Sequence, residues 1–338
     1  MRIFRRFFLY VLLIGLSLFL TISCNRKITP PITSPSPVAS NFKVAILLPD
    51  LIKESSWSLG GYEGLKLIEK ELNAQVSYTE DINNKTPQEV TEIFREYAKQ
   101  NYDLIIGHGS EHLTLSSAEI VAKEYPRINF VITEKCAGNN ANLGCLDFKR
   151  DEISYLIGVV ASLKTQTNKI AFIGAFPYDT LKEEANSIPL GAKKIDPKME
   201  VNVEWLESWD DQEKALKIAQ KQIDLGVDVL ILHGDPATIP IHKLAQEKGI
   251  WTIAWNLDQY DLAPNVIITS AIFKAPQLLL KAAILVQEGR WEGQQYKFGF
   301  LDGVQELAPF RNTLTPEKEA IVNNIKQDII TGKINVSP

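Results

Sequence analysis

From Lys43 onward the chain alternates short β-branched runs with longer amphipathic segments. Val44-Ala45-Ile46-Leu47-Leu48 and Val229-Leu230-Ile231-Leu232 carry apolar residues on both faces, as do central strands of a parallel sheet covered by helices. Strands are predicted at 44–48, 75–79, 103–107, 129–133, 143–148, 169–174, 200–207, 227–233, 251–255, 266–271 and 296–300. Between them, Tyr62, Leu65, Ile68 and Leu72 recur at spacings of three and four, with Lys66, Glu69 and Lys70 off that stripe, which predicts a helix over 57–72. Pro87 opens the next helix directly after Thr86. The same logic places helices at 113–125, 151–164, 211–225, 239–248 and 275–288, and a last one at 316–331 between Thr315 and Gly332. Regular strand–helix alternation means an α/β fold with right-handed crossovers.

The first residues follow a different pattern. Arg2, Arg5 and Arg6 lead into an almost uncharged apolar run over 7–22, which stops at Ser23-Cys24. A charged start, a short apolar core and a small residue before the cut describe an export signal over 1–23. Cys24 resembles the lipidated cysteine of a bacterial lipobox, with Thr21 where leucine is usual; an uncleaved membrane anchor is the alternative. Residues 24–42 hold Pro30, Pro31, Pro35 and Pro37 among Ser and Thr and read as an extended spacer. Either reading ties the protein by its N-terminus to the outer face of a cell membrane or the periplasmic side of one.

Without this segment about 295 residues remain, enough for two lobes of ordinary size. The chain is 45% hydrophobic and 23% charged with a formal net charge of −5, which favours neither disorder nor a nucleic-acid surface. Besides Cys24 there are Cys136 and Cys145, flanking the turn-forming stretch Ala137-Gly138-Asn139-Asn140. In an exported protein they could close a loop as a disulfide, or stay as two free thiols. His108, Glu111 and His112 fall within five residues, but Gly109-Ser110 follow a strand where a zinc hydrolase needs a helix and places its Glu next to the first His. His108 is instead expected to line the mouth of a cleft. Gly-x-Ser-x-Gly, Gly-x-x-x-x-Gly-Lys and Gly-x-Gly-x-x-Gly signatures are missing from the sequence, so no cofactor and no catalytic residues are assigned.

Strand–helix units up to about Phe148 and a second run from Lys169 suggest two doubly wound parallel sheets facing one cleft. Within this frame, Lys43-Val44-Ala45-Ile46-Leu47-Leu48-Pro49, Tyr62-Glu63-Gly64-Leu65, Tyr102-Asp103-Leu104-Ile105-Ile106-Gly107, Ser154-Tyr155-Leu156-Ile157-Gly158-Val159, Gly191-Ala192-Lys193, Ser208-Trp209-Asp210-Asp211 and Leu307-Ala308-Pro309-Phe310 occur in an order and spacing that resemble the basic membrane protein family of bacterial substrate-binding lipoproteins. That family includes purine-nucleoside receptors serving ABC importers. The resemblance implies a type I periplasmic-binding-protein architecture with non-contiguous lobes, placed at 43–148 plus 257–298 and at 149–256 plus 299–338. It also implies a monomer that captures a nucleoside-like ligand by lobe closure and meets an ABC permease. A ligand-sensing lipoprotein without a transport role is the alternative.

By the same resemblance, the ligand positions after the first strand read Glu54, Trp57 and Ser58. Glu134 follows the fourth strand, Phe176 and Gly234 stand at strand ends of the second lobe, and Asn256, Asp258 and Lys274 form a last cluster. An indole at 57 offers a flat face on which a base can stack. Asn256 replaces an acid that suits a ribose diol, and Tyr178 is the alternative to Phe176 as partner aromatic.

Overall fold

The computed structural model describes residues 41–133 and 136–336. The predicted signal, Cys24, the spacer up to Ser40 and Glu134 lie outside the described residues. The first lobe begins with β1 (Lys43–Leu47), α1 (Ser56–Leu72), β2 (Gln75–Thr79), α2 (Pro87–Lys99), β3 (Leu104–His108), α3 (Glu111–Glu124), β4 (Asn129–Thr133) and β5 (Leu143–Phe148). The chain then enters α4 (Arg150–Lys164), β6 (Lys169–Gly174), α5 (Asp179–Ile195), β7 (Glu200–Trp205), α6 (Gln212–Asp224), β8 (Val229–His233), α7 (Ile239–Lys248), β9 (Trp251–Asn256) and β10 (Ile267–Phe273). It finishes with α8 (Ala275–Gln287), β11 (Gln295–Phe298), β12 (Gln305–Leu307) and α9 (Pro316–Ile330).

These strands form two six-stranded sheets, ordered β11-β5-β4-β3-β1-β2 and β12-β10-β9-β8-β6-β7. Every pairing is parallel except β10 with β12. Residues 257–273 were expected in the first lobe, but β10 pairs in register with β9, Ala271 opposite Trp255, and so belongs to the second. β10 is buried on both faces along most of its length, a pattern that only the interior of a sheet accommodates. The chain returns to the first lobe at Lys274, after which Leu279 of α8 packs on Gly64 of α1.

The lobes are joined at three places, after β5, after β10 and between β11 and β12. Backbone bonds tie these crossings together: Lys149 N–H donates to Phe298 O at 2.8 Å, and Lys274 N–H to Val304 O at 2.7 Å. The Gln305 amide donates to Lys149 O at 3.1 Å, and Phe148 meets Phe273 edge to face at 4.9 Å. One apolar cluster therefore runs from Val44 and Ile46 through Phe148 and Phe273 to Phe172 and Trp255.

Two elements go beyond the sequence expectation. β12 is only three residues long and antiparallel, too short to show a period. α5 contains Pro189 in its interior, which costs a helix about 3 kcal/mol. Packing against α4 offsets this: a Cβ built on Gly158 would lie 2.0 Å from Ile188 O, and one on Gly191 only 1.8 Å from Tyr155 O. The two helices thus touch backbone to backbone, and α5 is held over the hinge by its neighbour rather than by its own propensity.

Candidate ligand site

The carboxyl ends of both sheets converge on the hinge side. α1 starts at the N-cap Ser55, whose hydroxyl accepts Ser58 N–H at 3.3 Å, and this sets Trp57 in the first turn. The indole stacks on His108 at the end of β3, with centroids 4.4 Å apart and planes 12° apart. His108 is fully buried, which corrects its expected place at the cleft mouth: it supports Trp57 from beneath. Its Nε2 lies 3.0 Å from Trp57 O, and a carbonyl only accepts, so Nε2 carries the proton. Nδ1 then accepts the Thr133 hydroxyl at 3.2 Å, while Thr133 Oγ1 accepts Gly109 N–H at 2.9 Å. Both ring nitrogens are engaged within the protein, and His112 is exposed, so the two histidines do not converge on a metal. Glycine is needed at two adjoining positions. A Cβ on Gly61 would meet the His108 ring at 2.4 Å, and one on Gly109, at φ +79°, would meet the Trp57 Nε1 at 2.7 Å.

Burial lowers the His108 pKa to about 4, against a smaller opposing effect of the Trp57 carbonyl. His242, between Thr252 Oγ1 at 2.8 Å and Gln259 Oε1 at 3.2 Å, is likewise lowered to about 4 by burial. A depressed folded-state pKa makes the unfolded state bind more protons below 6.5, so this stability is present above pH 6.5 and is lost as pH falls towards 4. The expected outcome is a loss of roughly 3 kcal/mol per histidine over that window, read from denaturant unfolding at stepped pH. His108→Phe and His242→Phe should each flatten part of the slope.

The other predicted residues are placed unequally. Ser58 is fully buried and its hydroxyl accepts Asp50 N–H at 3.1 Å, which fixes the loop after β1. Glu54 is exposed in the same loop, 3.4 Å from Lys53. Phe176 follows β6 and stacks on Tyr178 with centroids 5.2 Å and planes 7° apart, and Trp209 lies 5.9 Å away. Gly234 is buried after β8, close to Leu206 and Thr238. Asn256 ends β9 in the left-handed region at φ +67°. Asp258 is bound by the Arg311 guanidinium, which holds its carboxyl below the usual carboxylate range. Lys274 pairs with Glu306 at 2.9 Å. Asp258 and Lys274 are thus each engaged in an ion pair within the protein.

A buried charge network was missed by sequence reasoning. Arg150, at the start of α4, donates from Nε to Asp147 Oδ1 at 3.2 Å and from Nη1 to Glu184 Oε1 at 3.1 Å. Glu184 Oε2 lies 2.6 Å from His233 Nδ1. Asp147 and Glu184 have fully buried side chains, and His233 stacks on Trp255 at 5.0 Å and 16°. Lys297 on β11 reaches Glu183 on α5 at 3.2 Å, an ion pair that spans the lobes. Of these residues only Asp147 and Arg150 belong to a segment recognisable as a strand-to-helix junction. Trp57, Thr133, Leu146, Asp147, Phe148, Arg150 and Leu278 line a closely packed seam with no room for a water molecule between them. Ligand sites of drug-sized molecules take roughly 300 Å³ or more. A nucleoside-sized guest therefore requires the lobes to part or Trp57 to turn.

Beyond β4, Cys136 and Cys145 are joined by a disulfide with Cα atoms 5.7 Å apart. It fastens the β4–β5 loop to β5, and the Asn139 side chain accepts the N–H groups of Ala141, Asn142 and Leu143 within it.

Two parallel-sheet lobes hinged by three crossings, with aromatic side chains at the carboxyl ends of both sheets, define a solute-binding protein of the periplasmic type. Residues 41–337 match the family described as ABC transporter substrate-binding protein PnrA-like, and the chain belongs to it; the family is one of solute-binding proteins. The chain is 29% identical over 293 residues to the transcriptional activator protein med of Bacillus subtilis, covering 86% of this chain and 90% of that one. It is 26% identical over 321 residues to the ABC transporter nucleoside-binding protein BmpA of Lactococcus lactis, covering 88% and 90%. The crystal structure of a transcriptional activator of the comK gene from Bacillus halodurans superposes with a TM-score of 0.76 at 26% identity, covering 86% of this chain and 99% of that one.

Proposed function

We propose that the protein is exported, held at a membrane by lipid on Cys24, and captures a nucleoside-like ligand between its lobes for delivery to an ABC permease. The observation that carries this reading is the indole of Trp57, fixed by the His108 stack at the carboxyl edge of one sheet, with the Phe176–Tyr178 pair at the corresponding edge of the other. A flat ligand bridging these platforms binds the closed state better than the open one and shifts the population towards it. Glu54 in the loop after β1 and Asn256 at the end of β9 would meet polar groups of such a ligand, and Glu134 is assigned to the same role. A tether holds the body near its permease at high local concentration. The monomer is the functional unit.

Base stacking contributes about 1–3 kcal/mol, so Trp57→Ala is expected to weaken nucleoside binding roughly 5- to 150-fold, whereas Trp57→Phe stays within about tenfold of the wild type. Thermal shifts with a panel of purine and pyrimidine nucleosides check this. Equal affinity in the wild type and Trp57→Ala would remove Trp57 from the site.

Sensing without transport is favoured by a different observation: the relatives from Bacillus subtilis and Bacillus halodurans carry the names of transcriptional activators. Co-purification of the tethered chain with permease subunits from its own cells supports delivery; recovery with a signalling protein and no permease supports sensing.

A further inference from the structure

His233 has one nitrogen committed and one unused. Its Nδ1 lies 2.6 Å from Glu184 Oε2, and Glu184 Oε1 accepts from Arg150 at 3.1 Å. A carboxylate only accepts, so Nδ1 carries the proton of this bond, and in that tautomer the Nε2 lone pair is an acceptor. Nε2 makes no hydrogen bond to the described residues. The ring is 4% exposed and sits edge-on to Trp209 at 6.4 Å and flat on Trp255. Trp209 in turn adjoins Phe176. A buried, oriented acceptor therefore ends beside the aromatic platform of the second lobe.

We infer that His233 is a specificity-determining ligand contact, whose Nε2 accepts a hydrogen bond from a sugar hydroxyl of the bound molecule, with Glu184 as its positioning residue. This rests on the nucleoside reading. The assignment gives the second lobe an acceptor that Asn256, an amide at a left-handed strand end, supplies less well than an acid. It also accounts for the orientation of the ring, because stacking on Trp255 and the Glu184 bond leave it no freedom to turn Nε2 away.

The test uses guanosine, its 2′-, 3′- and 5′-deoxy forms, and free guanine as calorimetric probes on the wild type and His233→Phe, which keeps a ring on Trp255. The wild type is expected to prefer guanosine over one deoxy form by roughly tenfold or more, since a buried acceptor left unpaired costs about 1–3 kcal/mol. His233→Phe is expected to lose that preference while binding the same deoxy form as the wild type does. Should the variant fold poorly, the wild type answers alone: with only four histidines in the chain, the His233 Nε2 resonance can be followed by NMR and is expected to move with guanosine and not with the critical deoxy form. A preference retained in His233→Phe, or an unmoved Nε2 resonance in a guanosine-bound wild type, overturns the role of His233 and leaves the nucleoside reading standing. A folded wild type that binds neither these probes nor any member of a purine and pyrimidine nucleoside panel overturns both.

Discussion

Arg150→Ala is expected to destabilise the protein by about 3–5 kcal/mol, the range for removing one partner of a buried ion pair. Its guanidinium holds two side chains that have no access to water, Asp147 and Glu184. Removing it strips the charge partner from both carboxylates, leaving Glu184 with His233 and Asp147 with the Phe148 N–H. Lys297 does not replace it, since its ammonium stands 3.9 Å from Asp147 and is already paired to Glu183. The loss also frees the face of Phe273, over which the guanidinium lies at 5.4 Å. Denaturant unfolding measures the effect, and adding Glu184→Gln to Arg150→Met should recover part of it by removing one of the stranded charges. A loss below about 1 kcal/mol, the value of an exposed pair, would mean that the network is solvated.

Gly191→Ala is expected to cost at least about 3 kcal/mol, the upper part of the range for overpacking. The added methyl would fall 1.8 Å from Tyr155 O, and the obstacle is backbone that cannot rotate aside. α4 and α5 must separate, and with them Glu184 moves from Arg150 and His233. The second lobe should therefore lose thermal stability and ligand affinity together. Unfolding monitored by circular dichroism checks the first part. An unchanged melting temperature would contradict the backbone contact.

Much of the fold was legible because the inner strands of both sheets are buried on two faces, and continuous apolar runs such as Val229-Leu230-Ile231-Leu232 announce such strands directly. α5 was not legible. Pro189 interrupts its signal, and what rescues it is contact with α4, a tertiary term that no local window contains. The consequence reached the site, because Glu184 rides on that helix. His233 was hidden for a related reason: it ends an apolar strand and gains its chemical meaning only when Glu184 and Trp255 close on it. The lobe boundary near 257 failed because a single strand, β10, pairs before the chain crosses. Trp57 was assigned as an aromatic platform through the family resemblance alone, and what supports its ring was not legible. The stack with His108 depends on glycines at 61 and 109 that leave room for two rings.

The central claim is that the inter-lobe cleft receives a nucleoside, and titration calorimetry of the folded body with a panel of purine and pyrimidine nucleosides tests it most directly. The account predicts saturable one-to-one binding of at least one nucleoside, with a negative heat-capacity change from burying apolar surface as the lobes close. A folded protein that gives no binding heat with any nucleoside at several temperatures would contradict it.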